Sequence, residues 1–175
     1  KIAGLNALKY IQNTKVKQFP SEAAEQKYRQ VHRPLERTNG VKPQQLEAEL
    51  QQIMDQYAGG VSTNYQLSAE NLLTAKRLLQ RLEEKLARRM ASNKHQLLKL
   101  HEVIDRVETA KVLVEHLLYR QETRWKGYQE RVDYPERDDD RWLVFINSIY
   151  DKAKDKLQII ERSPVRRGGV DDNKN

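Results

Sequence analysis

The residues best suited to chemistry crowd into one stretch, between Glu122 and Asp139. The guanidiniums of Arg124 and Arg131 and the carboxylates of Glu122 and Asp133 fall within residues 122–133, and Asp138 and Asp139 follow closely. An arginine fork fits a carboxylate in a bidentate pair, so Arg124 and Arg131 can pair with Glu122, Asp133 or Asp139. The stretch is too irregular in pattern to be a helix, so its backbone must find partners elsewhere. Spare guanidinium donors can reach such carbonyls. The expectation is a fixed charge network at a corner between two elements, with Trp125 and Tyr128 presented beside it. The motif is thus Glu122, Arg124, Trp125, Tyr128, Arg131, Asp133, Asp138 and Asp139, acting in structure or at an interface. No catalytic, cofactor-binding or metal-ligating residue is assigned. The Asp138-Asp139-Asp140 triplet lacks the alternating ligands and glycine of a calcium loop, and reads as turn chemistry.

Other chemistries find little support. The chain has no cysteine, which excludes disulfides, thiolate metal sites and cysteine nucleophiles. No two of His32, His95, His101 and His116 stand three or four residues apart, so helix-surface packing is favoured over metal ligation. Gly59-Gly60 is not preceded by a strand pattern and reads as a helix stop rather than a phosphate loop. The net charge of +7 favours anionic partners in general. The densest basic run, Lys76, Arg77, Arg81, Lys85, Arg88, Arg89 and Lys94, is interrupted by Glu83 and Glu84 and sits on the polar side of a helix. A solvated helix face explains it better than a phosphate-binding stripe.

The elements that must position the motif are mostly helical. Ile2, Leu5, Leu8 and Ile11 give a helix over 2–11, and Ser21 opens a weaker one over 22–31, closed by Pro34. Pro43 opens a helix striped by Leu46, Leu50, Ile53 and Tyr57. Ser68 caps a helix over 69–90 with Leu72, Ala75, Leu79, Leu82 and Leu86 inward. Ser92 or Asn93 caps the longest, to about 121, striped by Leu97, Leu100, Ile104, Val107, Val114 and Leu118 and widened by Val103, Ala110 and Leu117. Beyond the motif, residues 142–150 and 156–162 read as two strands joined by a five-residue loop. The fold class is mostly α: a three-helix bundle, spectrin-repeat-like, with a C-terminal β-hairpin. No apolar run approaches a membrane span and no signal peptide is visible.

These residues also carry a resemblance. Glu122-Thr123-Arg124-Trp125-x-Gly127-Tyr128, then Arg131-x-Asp133-Tyr134-Pro135, Asp138-Asp139, Trp142 and Phe145-x-Asn147-Ser148-x-Tyr150-Asp151 resemble the C-terminal region of adenylylsulfate reductase flavoprotein (alpha) subunits. The pattern is similar, more distantly, to the fumarate reductase, succinate dehydrogenase and L-aspartate oxidase flavoproteins. Lys1-Ile2-Ala3-Gly4 looks like the tail of the stretch that opens the last helix of their FAD-binding domain. The resemblance implies an organisation: 1–40 as the end of a FAD-binding domain with a connector helix, 41–121 the bundle, 122–165 motif and hairpin, 166–175 a disordered tail. It implies FAD in the parent protein and none in this chain, which lacks a dinucleotide fingerprint and is not itself expected to be catalytic. The implied partners are the N-terminal FAD-binding domain of the same protein and an iron–sulfur subunit, in the cytoplasm. A first residue of Lys rather than Met fits a piece of a longer protein. The competing expectation is a stand-alone basic helical module for an anionic partner such as nucleic acid, resting on net charge alone.

Overall fold

In the computed structural model, residues 2–15 and 20–165 are described. The expected tail at 166–175 and part of the expected connector, 16–19, lie outside them.

Helices α1 (Ile2–Asn13) and α2 (Ser21–His32) bury no residue. The apolar positions of α1 face outward, with Ile2 and Ile11 among the most exposed large hydrophobic residues. A 3-10 turn, Arg33–Glu36, then leads to α3 (Pro43–Tyr57). Pro43 sits at its first turn, where a missing N–H costs nothing. Gly59 ends that helix region at φ +77, and Gly60 lies so close to Asp55 that a Cβ would meet its backbone.

Helix α4 (Ala69–Leu86) follows, with Ser68 accepting from the Asn71 amide as its cap. Helix α5 (Lys94–Tyr119) is capped in the same way by Asn93, which accepts from Gln96. The three helices pack on one another around a core of Leu46, Leu50 and Ile53 from α3, Ala75, Leu79, Leu82 and Leu86 from α4, and six residues of α5. On α5 the buried row runs Leu97, Leu100, Val103, Val107, Ala110, Val114. Ile104 and Leu118 are only half-buried, so the stripe's centre lies one position off the expected line. The exposed flanks pair by charge: Lys76 with Glu115, Lys85 with Glu49, Lys111 with Glu83.

Helix α4 stops four residues short of the expected 90. There the backbone leaves the helical ladder to pair with a remote segment. The Val41 amide donates to the Arg88 carbonyl, and the Met90 amide donates to the Val41 carbonyl. A second remote pairing was also invisible to local pattern. Strand β1 (Gln66–Leu67) runs parallel to β2 (Glu130–Arg131), two residues each.

The hairpin consists of β3 (Phe145–Asp151) and β4 (Lys156–Arg162), antiparallel with Asp151 opposite Lys156. The loop is therefore four residues, 152–155, not five. Trp142 is not in the strand. It ends a single helical turn, α6 (Asp139–Trp142), capped by Asp138, which accepts from the Arg141 amide. The ring is buried there, edge-on to Tyr119 and under Arg141. No described helix is long and apolar enough to cross a membrane.

Candidate functional site

The motif lies where the C-terminus of α5, the N-terminus of α4 and the start of the hairpin meet. Its centre is Glu122, whose side chain is fully buried. An isolated carboxylate could not stay ionised there. Glu122 is surrounded by donors instead. Arg124 forks onto it, Nε to Oε1 at 2.7 Å and Nη2 to Oε2 at 3.0 Å. Arg120 donates to Oε1, and the Asp138 amide donates to Oε2 at 3.1 Å. Burial pushes the Glu122 carboxyl up, but Arg124, the Asp138 amide and Arg120 outweigh it and hold it below its ordinary value.

Arg131 is the second hub, also buried. It forks onto Asp133 with two 2.8 Å bonds. Its Nη1 donates to the Leu117 and Arg120 carbonyls at 2.7 Å each, satisfying the last turn of α5, which has no intrahelical partners of its own. Asp133 passes the contact on: its Oδ2 accepts from the Ala69 amide at 2.8 Å, at the first turn of α4. A carboxylate there also meets the positive end of the helix dipole. Thr123 ties the hubs together, accepting from the Arg131 amide and donating to the Tyr134 carbonyl.

The remaining motif residues divide. Asp139 joins the first hub through Arg124 Nη1 at 2.9 Å and also pairs with Arg137. Asp138 contributes its amide to Glu122 and its carboxylate to the cap of α6. Trp125 and Tyr128 are not in the network. They stand on a tight turn with Gly127 at φ +84, exposed by 65% and 75%. Trp125 borders a shallow cavity of about 170 Å³ together with Arg120, Glu122, Arg124 and Arg131.

Arg120 escaped sequence reasoning. Besides Glu122 it donates to the Trp142 and Val144 carbonyls at 2.9 Å each, clamping the approach to the hairpin. Its signal was present: a basic residue at a helix C-terminus, two before a buried carboxylate. The outer pair of Arg141 with Glu161, which also accepts from the Tyr119 hydroxyl, was likewise unread.

This is an arrangement for holding parts together. Every guanidinium at the hubs is engaged by carboxylates or carbonyls. The histidines lie apart: His32 stacks on Tyr28, and His101 contacts the Val31 carbonyl. Gly59 and Gly60 follow a helix, and the passage from β1 to α4 carries Ser68 with no glycine, so the described residues offer no glycine-rich strand–turn–helix for a dinucleotide pyrophosphate. The resemblance implies FAD in the parent protein, and no flavin step is assigned to these residues.

The network predicts a pH dependence. Arg131 holds Asp133 below its ordinary value against the opposing effect of burial, helped by the Ala69 amide. Glu122 and Asp133 are thus both depressed in the folded state. Their contribution to stability is complete above the ordinary carboxylate range near about pH 4, and is lost as pH falls through the lower folded values. Urea midpoints should therefore hold steady near neutrality and drop below about pH 4, with a shallower drop for Asp133→Asn. An identical acid slope in that variant would remove Asp133 from the account.

Known proteins share this architecture. The family described as fumarate reductase flavoprotein C-term matches residues 47–170. The alpha subunit of adenylylsulfate reductase from Megalodesulfovibrio gigas is 34% identical over 122 residues, 70% of this chain and 18% of that protein. The solved adenylylsulfate reductase of the hyperthermophilic Archaeoglobus fulgidus superposes with a TM-score of 0.84 at 33% identity, over 94% of this chain and 28% of that one. The fold also recurs in the E. coli quinol fumarate reductase FrdA chain, at a TM-score of 0.73 and 18% identity, over 92% of this chain and 28% of that one. The chain thus spans under a third of each relative's length. With the family match covering the bundle, the corner and the hairpin together, the chain belongs to the fumarate reductase flavoprotein C-terminal family.

Proposed function

We propose that this chain is the C-terminal helical domain of a FAD-dependent oxidoreductase of the adenylylsulfate reductase type. The parent enzyme would carry out the two-electron reduction of adenylylsulfate to sulfite and AMP, or the reverse, as a cytoplasmic enzyme with an iron–sulfur partner. The domain's part is to buttress the FAD-binding domain and help form the subunit interface. The observation that carries the reading is the corner itself: the motif resembling adenylylsulfate reductases coincides with the buried Glu122 and Arg131 hubs. A resolved relative of 33% identity is an adenosine-5-phosphosulfate reductase in complex with sulfite. The outward apolar face of α1 and the exposed Trp125 and Tyr128 are surfaces that a neighbouring domain or subunit would cover.

The test is the full-length protein with its partner subunit. Bound FAD and a ferricyanide reduction that requires both sulfite and AMP are expected. Reduction supported by succinate instead would overturn the substrate class. In the same preparation, Arg124→Ala should weaken subunit association while the flavin still exchanges electrons with artificial donors. Normal assembly with lost turnover would make Arg124 catalytic and defeat the buttress role.

A further inference from the structure

Along α4 the basic run lies on the solvated face of the helix, with Arg77 and Arg81 exposed, but its last arginines leave that face. Lys76 and Lys85 are spent in ion pairs on the flanks of the bundle. Arg88 and Arg89 lie past the end of α4, where the chain turns to pair with Val41. That turn brings them against Arg33 and Arg37, more than fifty positions earlier. The Ala91 amide donates to the Pro34 carbonyl at 3.0 Å, and Arg37 Nη1 donates to the Ala87 and Arg89 carbonyls at 2.6 and 3.1 Å. Four guanidiniums thus gather at one end of the bundle.

None of the four makes an ion pair with any described residue, although thirteen pairs form elsewhere. Arg37 and Arg89 spend part of their donors on the last carbonyls of α4, the negative end of its dipole. The rest is unspent. Arg89 Nε is buried without a partner. Burial pushes the Arg89 guanidinium down, and the charges of Arg37 and Arg33 push it further the same way. Beside the cluster lies an open cleft of about 370 Å³ bordered by Arg37, Thr38, Asn39 and Arg88, with Glu36 as its only carboxylate.

We propose that this cluster of Arg33, Arg37, Arg88 and Arg89 is a docking surface for an acidic protein segment presenting two or more carboxylates. Charge complementarity supplies the argument: a concentrated, uncompensated positive patch raises the local concentration of an anionic partner, and guanidinium forks match carboxylates. Nucleic acid fits less well. No aromatic side chain borders the cleft to stack a base, and the charge is a compact patch rather than a stripe along a groove. The surface is separate from the Glu122 corner, which lies at the other end of α4, about 27 Å away for an 18-residue helix. The inference therefore does not depend on the flavoprotein reading.

The experiment measures fluorescence anisotropy of a labelled octaglutamate peptide with the 175-residue chain at about 0.15 M ionic strength, where charges more than about 8 Å apart are largely screened. Arg33 and Arg88 are exposed and make no side-chain hydrogen bond, so the Arg33→Glu/Arg88→Glu variant should fold normally, as far-UV dichroism would verify. Its affinity should fall by about tenfold or more, because charge reversal at a contact replaces attraction by repulsion. Arg77→Glu/Arg81→Glu makes the same change in net charge on the exposed side of α4 and should cost about twofold or less. Absence of binding by the unaltered chain, or equal losses in the two variants, would overturn the site. Tighter binding of a single-stranded oligothymidylate of equal length, lost in the first variant alone, would reassign the patch to nucleic acid and overturn the proposal as stated.

Discussion

Leu79→Asp is expected to abolish cooperative folding of the bundle. Leu79 is wholly inaccessible at the middle of α4, between Ala75 and Leu82, in the core that α3 and α5 close. Two costs add. Losing the leucine side chain alone costs about 2–5 kcal/mol, as large-to-small core changes do. An unpaired carboxylate in its place costs several kcal/mol more, or must take up a proton to stay. The total stability of a small domain is only about 5–15 kcal/mol, so the sum is comparable with all of it. Leu73→Asp is the internal control. It lies on the same helix but is 56% exposed, and should move the melting temperature little. Thermal melts followed by dichroism decide the matter: a melt of the Leu79 variant that matches wild type would show that α4 does not bury the side it shows here.

That pair of variants also marks what could be read from the sequence. Helices α4 and α5 were legible because burial on a helix imposes a period, and because Ser68 and Asn93 are short polar residues placed where a helix needs a cap. What escaped was decided by partners remote in sequence. Leucine-rich periodicity suggested that α4 would continue to residue 90, but Val41 captures the backbone at Arg88 and Met90. Alternation placed Trp142 in a strand, yet the Asp138 cap and the rings and guanidiniums around it hold it in a helical turn. The two-residue pairing of β1 with β2 joins positions 64 apart and has no local signature. The corner shows the same division. Its composition announced arginine–carboxylate pairing between Glu122 and Asp139. Which arginine meets which carboxylate was not readable, because Arg120 enters from the end of α5 and the Ala69 amide from the start of α4, 64 positions before Asp133.

Glu122→Ala is expected to be the most damaging change at the corner, worth about 3–5 kcal/mol. A buried ion pair as such is weak evidence for stability, since desolvating both charges offsets most of their attraction. Removing one partner is another matter. Glu122 receives two bonds from Arg124, one from Arg120 and one from the Asp138 amide. Without it, the two guanidiniums face each other with no charge between them, and a backbone N–H loses its acceptor. Arg120 would still hold the Trp142 and Val144 carbonyls, and Arg124 would still reach Asp139, so the loss should be local rather than total. Glu122→Gln keeps the shape and one acceptor oxygen but drops the charge, and should fall between wild type and alanine. The measurement is urea unfolding of the three proteins near neutral pH, with amide exchange at Asp138 as the local readout. Faster exchange at Asp138 alongside a lowered midpoint is the expected result. An alanine variant within about 0.5 kcal/mol of wild type would mean that Glu122 is solvated rather than enclosed, and that the corner is held by Arg131 and Asp133 alone.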